Sequence, residues 1–65
     1  MNSNKRLIQK AAILAGGYPA LAKKLGITRQ AIYQWTRVPA DRVVQVARLS
    51  GLSRHELRPE LYPEL

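Results

Sequence analysis

A chain of 65 residues without cysteine predicts one domain, residues 1–65, in a reducing compartment, and it excludes disulfides and thiolate metal sites. Because the core must be small and His55 would need three of only four carboxylates to build a zinc site, no enzyme, metal or cofactor is expected. The net charge of +7 comes from 11 lysine and arginine residues against 4 acidic residues, and such a basic domain attracts polyanions.

A first helix is predicted over residues 4–15, where apolar residues recur at helical spacing. The stripe consists of Leu7, Ala11, Leu14 and Ala15, with Ile8 beside it. Gly16 and Gly17 are expected to end this helix, because glycine readily takes the left-handed conformation that follows a helix.

A second, shorter helix is predicted from Tyr18 to about Leu25. Pro19 suits its first turn, because the N–H group that proline lacks would have no partner there. Gly26 is expected to end the helix and to allow a sharp change of direction. The inner side of this helix is predicted to contain Leu21, Ala22 and Leu25.

The third predicted helix covers residues 29–36 and has two chemically different sides. Thr28 is a good N-cap for it. At about 100° per residue, Ile32 and Trp35 fall on one side and are expected in the core. The opposite side contains no acidic residue and consists of Arg29, Gln30, Tyr33, Gln34 and Arg37.

The polar side of this third helix carries side-chain types that are suited to reading double-stranded DNA. Arginine donates two hydrogen bonds to guanine O6 and N7, and glutamine donates to and accepts from adenine. Arg29, nearest the helix N-terminus, would enter the major groove most deeply, and Thr28 would reach a phosphate or a base edge. Tyr33 offers a hydroxyl to a phosphate or a ring to a thymine methyl group, and Arg37 is predicted to contact a phosphate.

Four small or apolar residues link the second and third helices into a helix-turn-helix pattern. Two helices that meet at a sharp angle need a tight turn, often built on glycine, and a small residue where they cross. Glycine lies four residues after Ala22, isoleucine ten and tryptophan thirteen, which places Ala22, Gly26, Ile32 and Trp35 in that pattern.

Two more helices are predicted beyond Pro39. The fourth runs from about residue 40 to residue 50, with Val43, Val46 and Ala47 facing inward. Ser53 and Glu56 fit a capping box and start a short fifth helix, after which residues 60–65 are expected to be extended. No alternating strand pattern occurs, so the predicted fold class is all-α, with five short helices around a helix-turn-helix.

The end of the chain leaves two interpretations open. Leu57, Leu61 and Tyr62 would pack over the small core, or they would serve a second subunit, and both can hold together. His55 is expected to have a structural role in the first turn of the fifth helix rather than to act as a pH switch.

The stretch GGYPALAKKLGITRQAIYQWTR resembles the helix-turn-helix of Cro-type phage repressors, and VPADRVVQVARLSGLSRHELRPELYP resembles the YdaS-like branch of that group. The resemblance covers about residues 6–63. It implies a fold like that of lambda repressor and a sequence-specific repressor that binds a double-stranded DNA operator as a homodimer, in a phage or prophage.

The resemblance maps the recognition helix to residues 28–35. The base-reading positions it implies are Arg29, Gln30, Tyr33 and Gln34. At Tyr18 many members carry a glutamine that binds a phosphate, and the tyrosine hydroxyl can still donate there. The β-strands that form the dimer interface in some Cro proteins are not expected in this tail.

Location and alternative function follow from the same features. No apolar run approaches the roughly 20 residues that a membrane span needs, and no secretory signal is recognised, so a cytoplasmic, nucleoid-associated protein without membrane contact is expected. The alternative to a repressor is an antitoxin-type interaction module whose basic face docks an acidic partner such as a toxin.

Overall fold

The structure, a computed structural model, describes residues 3–63. Within that range the chain forms helices and turns without a strand, so the predicted all-α class with five helices is confirmed. The helices are α1 (Ser3–Leu14), α2 (Tyr18–Leu25), α3 (Arg29–Tyr33), α4 (Val43–Ser50) and α5 (Arg54–Leu57), and a 3-10 turn at Ala40–Arg42 leads into α4.

The core is formed where α1 and α2 pack against α4, and α3 packs against α2 while α5 packs against α4. Its buried members on the helices that surround it include Leu21, Ile32, Val43, Val46 and Leu57. The inward positions predicted for α2 and α4 are therefore largely confirmed, although Ala47 is only half-buried.

The apolar stripe predicted on α1 was wrong in one position. Leu14 is 51% exposed, whereas the buried residues of this segment are Ile8, Ala11, Ala12 and Ala15. On a helix of 100° per residue, Leu14 lies about 110° from the middle of that buried arc. Small alanine side chains instead let α1 approach its neighbours closely, and the larger leucine points outward.

The turn between α2 and α3 confirms the expected role of Gly26. This glycine is left-handed, with a φ of 73°, and its N–H donates back to the carbonyl oxygens of Ala22 and Lys23. The N–H of Ile27 donates to the Ala22 carbonyl at 3.0 Å, which completes the hydrogen-bond pattern of a Schellman motif. The pattern closes α2 sharply and sets the direction in which α3 departs.

Helix α3 begins as predicted but ends earlier. The Thr28 hydroxyl oxygen accepts a hydrogen bond from the Ala31 N–H at 3.2 Å, which confirms the N-cap. The helix stops at Tyr33 rather than residue 36, and the N–H of Trp35 closes a tighter turn on the Ile32 carbonyl at 3.0 Å. The chain turns away here because Val38, only 1% exposed, must enter the core just before Pro39.

The end of the chain folds back instead of extending. The capping box that starts α5 is confirmed, since Ser53 and Glu56 exchange both of its hydrogen bonds. The N–H groups of Leu61 and Tyr62 both donate to the Arg58 carbonyl at 3.0 Å, so residues 58–62 form a turn. The extended tail predicted for residues 60–65 was therefore wrong up to Tyr62, and residues 64–65 lie outside the described range.

Among residues 3–63, no helix combines the length and the apolar character that crossing a bilayer would require.

Candidate nucleic-acid interface

The outer surface of α3 brings four of the predicted site residues together. Thr28, Arg29, Gln30 and Tyr33 are all exposed and line one shallow surface depression. None of them carries a carboxylate. Tyr33 is 53% exposed, a large fraction for an aromatic residue, because the buried side of α3 is occupied by Ile32. The cap at Thr28 fixes the first turn and so positions Arg29 and Gln30 side by side.

Gln34 and Arg37, the other two predicted residues after Thr28, lie beyond the end of α3. Gln34 is exposed at the C-cap position, directly after Tyr33. Arg37 is exposed in the segment that leads to Val38. Trp35, expected in the core, is half-buried and packs against the core from the edge. The exposed surface thus continues past the short helix into this loop.

Tyr18 contacts Tyr33 rather than standing alone at the start of α2. The two rings have their centroids 4.8 Å apart and their planes inclined at 41°. Aromatic pairs at this separation contribute about 0.5–1.5 kcal/mol beyond the area they bury. Tyr18 is half-buried against the core, so it limits the positions that the more exposed Tyr33 ring can take. Sequence reasoning listed both residues but did not predict that they touch.

Lys5 also belongs to this surface, although sequence reasoning gave it only as one of several weak candidates for a phosphate contact. Its ammonium group on α1 donates to the Tyr33 backbone carbonyl at 2.8 Å. The last carbonyl groups of a helix lack partners within the helix, and a cation there also interacts favourably with the helix dipole. Lys5, Gln9, Tyr18 and Tyr33 line a groove between α1 and α3. No sequence signal distinguishes Lys5 from the other cations of α1.

Arg37 is paired with an acidic residue from the end of the chain. Its guanidinium donates to Oε1 of Glu60 at 3.1 Å. The same oxygen accepts a hydrogen bond from Nε of Arg58, and Arg58 also donates to the Val38 carbonyl at 2.8 Å. The hydrogen bond from Arg58, together with a backbone hydrogen bond and the charges of both arginines, holds the pKa of Glu60 below its ordinary value.

The two lysines of the last turn of α2 differ in their contacts. Lys24 donates to the Ala15 carbonyl at 3.1 Å and so ties α2 to the end of α1. Lys23 is exposed.

The start of α2 follows Gly17 without a side-chain cap, and no acidic residue lies in its first turn. Such a helix start leaves backbone N–H groups available to an anion.

In the described part of the chain, no group of three or more histidine, cysteine, aspartate or glutamate residues is arranged to hold a metal ion.

Comparison with known proteins finds one family. The profile of the family described as "Bacterial toxin YdaS" matches residues 8–65, a range that contains α2 to α5 and most of α1. All seven predicted site residues, from Tyr18 to Arg37, therefore lie inside the match. No curated protein and no solved structure matches the chain.

Proposed function

The chain belongs to the family described as bacterial toxin YdaS, and from this premise we propose that it is a sequence-specific DNA-binding repressor and not an enzyme. The family description is compatible with a small regulator or a protein of the toxin–antitoxin type. One observation carries the finer proposal. The helix that follows the Gly26 turn presents Thr28, Arg29, Gln30 and Tyr33 to solvent, without a carboxylate among them.

In the proposed complex, α3 enters the major groove and reads base edges. The five residues of α3 are enough to read base edges, because in helix-turn-helix proteins the N-terminal residues of the recognition helix make the base contacts. Arg29 suits guanine and Gln30 suits adenine. The Tyr18 ring supports Tyr33, so Tyr33 approaches the DNA with less conformational freedom to lose.

Phosphate contacts would set the register of the protein on the duplex. The candidates are the Tyr18 hydroxyl at the start of α2, Lys23 at its end and Arg37 after α3. Such contacts carry no sequence information, but they supply salt-dependent affinity.

A single copy reads too few base pairs for useful specificity, so the proposal includes a homodimer on a roughly palindromic operator. The two recognition helices would then lie about one DNA turn apart, roughly 34 Å. Repression would follow from occupying a promoter on nucleoid DNA in the cytoplasm, as in Cro-type regulators.

Selection from a randomised pool of double-stranded DNA tests this function. We expect one palindromic motif to be enriched, and gel shifts with that motif to show tighter binding than with a scrambled duplex. Uniform weak binding to every sequence would contradict the proposal. The same gel shifts with Arg29→Ala test the role of α3. Arg48→Ala on α4 is the matched control, because it removes the same charge from a different exposed surface.

A second candidate function is supported by the outer face of α1. Ile13 and Leu14 are 63% and 51% exposed, and they border Lys10 on a helix without acidic residues. Apolar residues beside a cation would suit an acidic protein partner, such as the toxin of a toxin–antitoxin pair. In that case Ile13→Gln combined with Leu14→Gln should abolish co-purification with the product of a neighbouring gene, and the DNA selection should return no motif.

A further inference from the structure

Glu60 places a carboxylate directly on one of the predicted phosphate-binding residues. Its Oε1 oxygen lies 3.1 Å from Nη1 of Arg37 and also accepts from Nε of Arg58. The Arg37 and Glu60 side chains are about half exposed, whereas the Arg58 side chain is only 14% exposed. One oxygen therefore joins an exposed arginine and a mostly buried one.

The turn that carries Glu60 is held in place on several sides. Arg58 donates to the Val38 carbonyl at 2.8 Å, and its own carbonyl accepts from the N–H groups of Leu61 and Tyr62. Nδ1 of His55 is hydrogen-bonded to the Tyr62 carbonyl at 3.0 Å. Glu60 is thus presented to Arg37 by a fixed turn rather than by a loose end of the chain.

We propose that Glu60 is an internal competitor for DNA phosphate, and that a backbone phosphate displaces its carboxylate from Arg37 when the protein binds DNA. A guanidinium group pairs with carboxylates and phosphates in the same geometry, so one anion can replace the other. An ion pair between exposed side chains adds little net stability, so little is lost when it opens. This inference rests on the proposed function.

The exchange is expected at Arg37 and not at Arg58. Arg58 is mostly buried and makes a second hydrogen bond, to the Val38 carbonyl, so leaving Glu60 would not bring it to the surface. Arg37 is exposed on the loop that follows α3. Glu60 stays with Arg58 after the exchange and is not left without a partner. Glu60 would therefore lower the DNA affinity for all sequences equally, because the phosphate with which it competes carries no base identity.

The test measures DNA affinity over a range of salt concentrations by fluorescence anisotropy with the selected operator duplex. Glu60→Gln removes the charge and keeps an oxygen that accepts from Arg58. We expect it to tighten binding by about 1.4- to fivefold at low salt, the range that exposed ion pairs span. The plot of log affinity against log salt should keep nearly the same slope in Glu60→Gln, because Arg37 contacts the phosphate in both complexes, whereas Arg37→Ala should flatten it by about 0.9, the slope of one lost phosphate contact. Glu60→Ala should give the same result.

The Arg37→Ala background separates competition from a general effect of charge. In that background Glu60→Gln should produce no gain, because the site of competition is gone. Asp41→Asn is the matched control, since it removes one negative charge from another exposed residue and its small effect should persist without Arg37. A wild-type protein that selects no motif would overturn the proposed function. A wild type that binds its operator while Glu60→Gln gains nothing, or gains equally without Arg37, would overturn this inference alone.

Discussion

In the proposed complex, the exposed cations Arg29 and Lys23 would take different roles. Arg29 is the first residue of α3, beside the Thr28 cap, and in the proposed complex it would meet base edges. Lys23 lies in the last turn of α2, outside the depression that Arg29 lines. If the proposal holds, position relative to the DNA groove, rather than charge, decides which of the two residues confers sequence preference.

Arg29→Ala should weaken binding to the preferred operator by about 1–3 kcal/mol and relax the preference at one base pair. Lys23→Ala is the matched control and should weaken all sequences alike. Competition binding against a set of operators with single base-pair changes measures both effects. If the two variants lose affinity with the same sequence profile, the role assigned to Arg29 is wrong.

Glu60 should titrate below its ordinary pKa, chiefly because Arg58 donates a hydrogen bond to the carboxylate. Because the folded-state pKa is lowered, the ionised carboxylate stabilises the fold at pH values above the unfolded-state pKa of 4.5. This contribution is lost as the pH falls through the folded-state pKa. NMR titration of the Glu60 side-chain carboxyl carbon would measure it. Arg37→Ala should raise the midpoint of the Glu60 titration less than Arg58→Ala does. The reverse order would contradict this account.

At the scale of helices and turns, the geometry of the candidate interface depends on how α2 ends. Gly26 is left-handed, and a Cβ atom placed on it would meet no atom within 4 Å. The same holds for Gly51, which ends α4 with a φ of 81°. The two glycines are therefore needed for their backbone conformation, and not for space.

Gly26→Ala and Gly51→Ala should each lower the free energy of unfolding by about 1 kcal/mol, because alanine is strained at positive φ. Asparagine should cost less at either position, since it tolerates this conformation better. Urea unfolding monitored by circular dichroism gives both values. A much larger loss for Gly26→Ala than for Gly51→Ala would show that the turn between α2 and α3 is tighter than described.

For the whole molecule, stability depends on a core of mostly small side chains. A domain of 65 residues is expected to be stable by about 3–10 kcal/mol, so single buried residues matter. Ile32 is 1% exposed and anchors the buried side of α3, whereas Trp35 covers the edge of the core and is half-buried. The surface of α3 therefore depends on Ile32 more than on the larger tryptophan.

Ile32→Ala should cost about 2–5 kcal/mol, and Trp35→Ala should cost no more than about 3 kcal/mol because Trp35 is only partly buried. Ile13→Ala removes the same atoms from a residue that is 63% exposed and should leave the melting temperature nearly unchanged. Thermal unfolding followed by circular dichroism compares the three. Equal losses for Ile32→Ala and Ile13→Ala would contradict the assigned core.

Local features were predictable from the sequence because they depend on residues close together in the chain. The Thr28 cap, the Gly26 turn and the capping box of Ser53 and Glu56 each involve atoms within a few residues of one another. Helical periodicity likewise predicted the buried Ile32 and the exposed positions of α3. The assignment of that exposed surface to DNA remains a prediction from side-chain chemistry and family resemblance.

The sequence alone thus determined the presence of five helices, the caps at Thr28 and Ser53 and the composition of the surface that α3 exposes, since hydrogen bonds and periodicity along one segment suffice for these. Only the tertiary structure decided the contact of Tyr18 with Tyr33, the hydrogen bond from Lys5 to the end of α3 and the pairing of Arg37 with Glu60. It also decided that Leu14 points outward and that α3 stops at Tyr33. These features depend on how helices rotate and approach one another in space, and the pattern of a single segment carries no information about its neighbours.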